Sequence, residues 1–151
     1  MPDCGLRNRH HDSARHRWAI IRNLSDQILL QRRSDDGLWS LPGGGIEANE
    51  TVLESLEREI LEETGWQVEV KNLLGIYSSP ATQTHTYPDG NSVQFVALVF
   101  EARALKLCQE PDCETLEIQF FGFAHLPENL HQNNLEMIRD GFSSLPRPFL
   151  R

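Results

Sequence analysis

The sequence contains no apolar run approaching the roughly 20 residues that a helix needs to cross a bilayer, which excludes a helical membrane span. Cysteine is scarce: Cys4, Cys108 and Cys113 make an odd count, with none of the short paired spacings that zinc sites use. They read as free thiols in a reducing compartment. Basic residues are outnumbered, 14 Lys and Arg against 22 Asp and Glu for a net charge of -8, so a broad surface for a nucleic acid duplex is excluded. The opening stretch MPDCGLRNRHHDSARHR lacks the apolar core of a signal peptide and does not make a transit peptide, so a cytoplasmic location is expected. Internal repeats and low-complexity tracts are also missing. An acidic chain of this kind can still bind a polyphosphate, given metal ions or a few local arginines.

What is present fits one domain spanning residues 1–151, with 1–15 and 146–151 expected to be loose or used in association. RWAIIRN (Arg17 to Asn23) and QILLQRR (Gln27 to Arg33) read as two short strands around a turn. LWSLPGGG ends in a break unsuited to a helix or a central strand. From Thr51 the period changes: Leu53, Leu56 and Ile60 recur at helical spacing and Gly65 stops the run, so a helix is expected from about Thr51 to Thr64. WQVEVKNLLGIYSS, NSVQFVALVFEARAL and ETLEIQFFGFAHL read as further strands, PATQTHTYPDGN as a polar loop, and NNLEMIRDGFSSL as a second helix. Strands, helix, strands, helix imply an α/β or α+β sandwich with a mixed sheet between helices.

The first helix poses an electrostatic question. Gly44 to Trp66 holds seven glutamates and one basic residue, Arg58. Glu59, Glu62 and Glu63 share one arc beside the apolar stripe, and none has Lys or Arg at i+4 to relieve it. A solvated acidic face is the common explanation of such a pattern. The alternative is a metal face: carboxylate oxygens are the ligands that Mg²⁺ and Mn²⁺ prefer, and these ions often bridge to substrate phosphates. Gly43, Gly44 and Gly45 directly upstream make a loop whose backbone can approach a ligand closely.

Read outward, the order is Gly44, five residues, Glu50, seven residues, Arg58-Glu59-Ile60, one residue, Glu62-Glu63, one residue, Gly65-Trp66. This resembles the signature of the Nudix hydrolases, which cleave nucleoside diphosphates linked to another moiety. Two positions depart from the usual pattern: Trp66 stands where an aliphatic residue is common, and Asn49 where many members carry Gly. Asn tolerates a left-handed backbone, so the turn is expected to be kept. The resemblance implies a Nudix-type α/β/α sandwich and divalent metals, Mg²⁺ or Mn²⁺, held by Glu59, Glu62 and Glu63 with the carbonyl of Gly43. It implies a structural role for Gly44 and Gly65, and a pair between Arg58 and Glu50 that holds the loop to the helix. The general base varies in the family, between a box glutamate such as Glu59 or Glu62 and an acid from a later loop, here Glu114 or Glu117. Glu114 is the favoured later acid, with a plain surface acid as the alternative.

The expected reaction is attack of water on a phosphorus of a pyrophosphate link in a small nucleotide. Arg32 and Arg33 could clamp phosphates or simply end a strand in solvent. Tyr77, Tyr87, Trp39 and Phe95 could stack a base or fill the core, and His85 could touch a ligand or sit in a loop. Pro80, fifteen residues beyond Gly65, lies near where Nudix ADP-ribose hydrolases carry a proline. An ADP-ribose or nucleoside diphosphate sugar substrate is therefore expected, with a nucleoside triphosphate pyrophosphatase as the alternative. A Nudix-fold binding or regulatory module without hydrolysis is the rival from another class. Many relatives are dimers, so a homodimer engaging the N-terminal arm is a further expectation.

Overall fold

The computed structural model describes residues 15–151. Among the described residues ten strands and two α-helices follow one another: β1 (Arg15–Arg22), β2 (Ile28–Arg33), β3 (Trp39–Ser40), β4 (Gly43–Gly45), α1 (Val52–Thr64), β5 (Trp66–Tyr77), β6 (Thr84–Thr86), β7 (Ser92–Gln94), β8 (Val96–Leu107), β9 (Thr115–Phe121), α2 (Gln132–Phe142) and β10 (Phe149–Leu150). A short 3-10 turn, Phe123–His125, leads from β9 toward α2.

Eight of these strands form one mixed sheet in the order β10-β5-β8-β1-β2-β3, with β4 paired to β1 and β9 to β2. The β1–β8 and β10–β5 pairs are parallel and the others antiparallel. β1 and β2 sit near the middle, and their apolar residues run almost without interruption because both faces are covered. Ala19, Ile21 and Leu29 pack with Leu56 and Ile60 of α1, while Ile20, Ile28 and Leu30 pack with Met137 and Ile138 of α2. Each fully buried aliphatic side chain contributes about 1.5–3 kcal/mol. The expected α/β/α sandwich is thus the fold observed.

Four sequence expectations change in detail. The glycine break is also a strand: Gly43 and Gly44 pair opposite Trp18 and Arg17 of β1. Gly43 has φ 148°, and a Cβ there would collide with the carbonyl of Arg17. The polar loop contains a hairpin, β6 with β7, turning through Pro88-Asp89-Gly90. The C-terminal residues are not loose, since β10 extends the sheet and Arg151 exchanges backbone hydrogen bonds with Ile76 and Ser78. Cys108 is free and exposed as expected, but Cys113 is disulfide-bonded rather than a free thiol. The expectations for Cys4 and for an N-terminal arm over 1–14 lie outside the described residues. No helix among the described residues is long and apolar enough to cross a membrane.

Candidate active site

Helix α1 is fixed at both ends by residues of its own segment. Thr51 Oγ1 accepts from Glu54 N at 3.2 Å and Glu54 Oε2 accepts from Thr51 N at 3.1 Å, a reciprocal cap that satisfies two N-terminal donors. Gly65 ends the helix in a left-handed conformation, φ 77°, and donates to Leu61 O. Its own carbonyl accepts from Cys108 N at 2.8 Å, which ties the helix end to the β8–β9 connection.

Between these caps the helix is rotated from its sequence-based orientation. The buried stripe is Ser55, Leu56, Glu59, Ile60, Glu63 and Thr64, whereas Leu53 is 46% exposed. Two of the three expected metal-face glutamates therefore point inward: Glu59 is 1% and Glu63 3% exposed. Burying ionised carboxylates is costly unless they are paired and hydrogen-bonded, and both are supplied with partners. Glu63 Oε2 accepts from Gly43 N at 3.1 Å and from Gln31 Nε2 at 3.3 Å. Gln31 Oε1 in turn accepts from Thr115 Oγ1 at 3.3 Å, so β2, β4 and β9 converge on one carboxylate.

Glu59 faces a cation that the sequence pattern does not single out. Arg17 is fully buried at 0% exposure, and its Nη2 lies 3.8 Å from Glu59 Oε1. Burial pushes the Arg17 guanidinium down from its ordinary value and the charge of Glu59 opposes that shift. Alternation along β1 is the signal that could have exposed it: Ala19 and Ile21 enter the core on the α1 side, and Arg17 is the next residue on that face.

Arg58 lies on the outer side of the same cluster. Its Nε donates to Glu50 Oε1 at 2.7 Å and its Nη2 to Glu50 Oε2 at 2.9 Å, the bidentate geometry that arginine and carboxylate favour. The hydrogen bonds from Arg58 hold the Glu50 carboxyl below the usual carboxylate range. Nη1 of Arg58 reaches Glu62 Oε2 at 3.2 Å and Glu59 Oε1 at 3.5 Å. The helix acids are thus relieved by an arginine at i−4 of Glu62 and by a buried arginine from β1, neither of which an i+4 search finds.

Two guanidinium groups accordingly stand among four carboxylates, Glu50, Glu59, Glu62 and Glu63. Among the described residues no three His, Cys, Asp or Glu side chains converge closely enough to hold a metal ion. The position between Glu59 and Glu62 is taken by the Arg58 charge. The donor set nonetheless fits a hard divalent cation, being all carboxylate with a surplus of negative charge.

The remaining candidates divide. Glu114 is half-buried on the turn before β9. Its carbonyl accepts from Ser34 N at 2.9 Å, and the neighbouring Asp112 N donates to Glu62 O at 2.9 Å, so this turn is fastened to α1. Glu117 lies in β9 and accepts from Arg32 Nε at 3.0 Å in an exposed pair. Arg33 forms a bidentate pair with Asp35, Nε to Oδ1 at 3.0 Å and Nη2 to Oδ2 at 2.6 Å, which bonds across its own turn. Tyr77 is corrected from a substrate contact to a core residue: it is 1% exposed, and its hydroxyl donates to Asp140 Oδ2 at 2.7 Å. Trp39 is likewise core, edge-on to Phe121 at 5.0 Å. Phe95 meets the ring of His16 edge-on at 4.4 Å, and His16 stacks on Trp18 at 5.9 Å. His85 and Tyr87 lie together on the β6–β7 hairpin.

A mixed sheet between two helices, with an acid-bearing helix following a glycine loop, defines an α/β/α sandwich of the Nudix type. The NUDIX domain family model matches residues 12–141, and the chain belongs to that family. Among curated relatives it is 38% identical to an ADP-ribose pyrophosphatase of Methanocaldococcus jannaschii over 111 residues, 72% of this chain and 62% of the relative. It is 30% identical to an 8-oxo-dGDP phosphatase of Homo sapiens over 124 residues, 78% of this chain and 35% of the relative. The chain spans less than two thirds of the length of the curated relatives it matches. Among solved structures, an ADP-ribose pyrophosphatase of Streptococcus suis superposes with a TM-score of 0.72 at 25% identity, covering 91% of this chain and 98% of that one.

Proposed function

We propose that the protein is a metal-dependent pyrophosphohydrolase that cleaves the diphosphate link of a nucleoside diphosphate derivative of the ADP-ribose or sugar-nucleotide type. The observation that carries this reading is the pair of buried helix carboxylates, Glu63 held against the glycine loop and Glu59 against Arg17, with Glu62 and Arg58 beside them. Such an arrangement is costly for a surface helix and is suited to holding cations against a phosphate chain. In this reading Glu59, Glu62 and Glu63, with the carbonyl of Gly43, hold Mg²⁺ or Mn²⁺. A bound divalent cation supplies charge neutralisation on the phosphates and lowers the pKa of an attacking water.

The chain's own groups do the rest. Glu114, or a box acid such as Glu62, accepts the proton of the water. Glu50 and Arg58 hold the loop to the helix, and Gly43 and Gly65 supply backbone that a side chain would obstruct, with Gly44 next to Gly43 in the loop. Arg32 can turn from Glu117 to a substrate phosphate at little cost, since an exposed ion pair contributes about 0–1 kcal/mol. The substrate class is supported by the likeness to ADP-ribose pyrophosphatases in both sequence and structure.

A second substrate reading has its own support. The likeness to an 8-oxo-dGDP phosphatase favours a free nucleoside di- or triphosphate instead. Incubation with Mg²⁺ or Mn²⁺ and a panel of ADP-ribose, sugar nucleotides, nucleoside triphosphates and their 8-oxo forms, with product masses read out, separates the two. Hydrolysis is expected to require metal and to collapse in Glu62→Gln. Wild-type turnover in all of Glu59→Gln, Glu62→Gln and Glu63→Gln would overturn the site assignment, and no turnover of any compound would favour a binding module.

A further inference from the structure

We infer that Arg17 is a positioning residue for this site, joining the glycine loop and the first turn of α1 into one unit against which Glu59 is set. The inference rests on the hydrolase reading for its effect on turnover, but its structural part stands independently. Arg17 projects from β1 beneath the loop, and its Nη1 donates to Gly44 O at 2.6 Å and to Gly45 O at 2.5 Å. Its Nη2 donates to Ser55 O at 3.0 Å and lies 3.8 Å from Glu59 Oε1. The three carbonyls belong to two different elements, β4 and α1, which the chain connects only through the turn at 46–51.

An arginine is an expensive way to fill this position. Alternation along β1 places Arg17 in a row with Ala19 and Ile21, whose side chains pack under α1. An apolar residue would continue that core without the desolvation penalty of a fully buried guanidinium. Only a planar fork with several fixed donors reaches both the loop carbonyls and the helix carbonyl, whereas the ammonium of lysine is a point charge on a flexible stem. The loop held in this way also carries Gly43, whose N–H donates to Glu63. Arg17 therefore sets the separation between the two buried carboxylates and the loop backbone without itself reaching a substrate.

The test uses the full chain in two variants, Arg17→Lys, which keeps the charge, and Arg17→Met, which keeps only the bulk. With ADP-ribose and saturating Mg²⁺, folded Arg17→Lys is expected to lose at least tenfold in kcat with KM within threefold of wild type. Hydrogen exchange is the second readout: amides of 45–49 should exchange at least tenfold faster while those of β5 and β8 stay unchanged. A merely structural arginine would accelerate exchange uniformly, and that result overturns the inference, as does a folded Lys variant with kcat within twofold of wild type and unaltered loop exchange. Should Arg17→Met fail to fold, the Lys variant decides. Should the wild type hydrolyse nothing, the functional reading falls, and the exchange pattern alone decides whether Arg17 locks the loop.

Discussion

Arg58 and Glu50 meet through two parallel hydrogen bonds, 2.7 and 2.9 Å, across eight positions of chain. The same guanidinium touches Glu59 and Glu62 through its remaining arm, so one side chain reads both the loop and the helix face. Arg58→Lys preserves charge but cannot make the planar pair. Supporting groups of this kind typically matter 10–100-fold for metal affinity or activity. A loss in kcat/KM of that order is expected for Arg58→Lys, with Glu50→Gln following it; retention of wild-type kcat/KM in both would show that the pair holds nothing needed for turnover.

Divalent metal should stabilise the fold through the surplus of carboxylates around α1. A ligand at 100 times its Kd adds about 2.7 kcal/mol to stability. Differential scanning calorimetry with and without Mg²⁺ is expected to show a larger rise in Tm for wild type than for Glu62→Gln. Equal rises would mean that the ion binds elsewhere.

Tyr77 gives a control on the opposite side of the sheet. Tyr77→Phe removes a buried hydrogen bond to Asp140, whose other oxygen accepts from Arg151 Nη2 at 2.8 Å. A destabilisation of about 1–3 kcal/mol is expected in urea unfolding. Turnover of the folded variant should be unchanged, and a KM effect without loss of stability would return Tyr77 to the substrate.

His131 makes stability depend on pH. Burial pushes its pKa below the ordinary value of 6.5, with the charge of Arg33 acting the same way and Asp36 opposing. The unfolded chain therefore binds the proton more readily than the folded one, and stability rises with pH in this window. The contribution is complete above about pH 6.5 and is lost as pH falls toward the depressed folded value. Urea midpoints measured between pH 7.5 and 5 should fall less steeply in His131→Gln; an identical slope would remove His131 as the cause.

Much of this was legible in the residues because it depends on local spacing. The stop at Gly65, the helix before it and the alternating or continuous apolar strands each follow from nearest-neighbour chemistry. The Arg58–Glu50 pair came from family resemblance, since nothing local connects residues eight apart across a turn. For Arg17 only the inward direction was legible, from alternation along β1; its partners appear only when β4 folds back over β1. The rotation of α1 escaped for a related reason. Leu53 looks like core by type, but the sheet lies under Ser55 and Glu59, and it is the long-range arginine that makes burying a glutamate tolerable there.

The two caps of α1 also have a genetic consequence. A helix advances 100° per residue, and Thr51 and Gly65 stop it from sliding to absorb a change in length. One codon inserted between Ser55 and Glu59 would swing Glu59, Glu62 and Glu63 a quarter turn or more away from Arg17 and Gln31, whereas the hairpin turn at Asp89-Gly90 could lengthen with its strands intact. Insertions and deletions should therefore be purged from the thirteen residues of this helix far more strictly than from the hairpin.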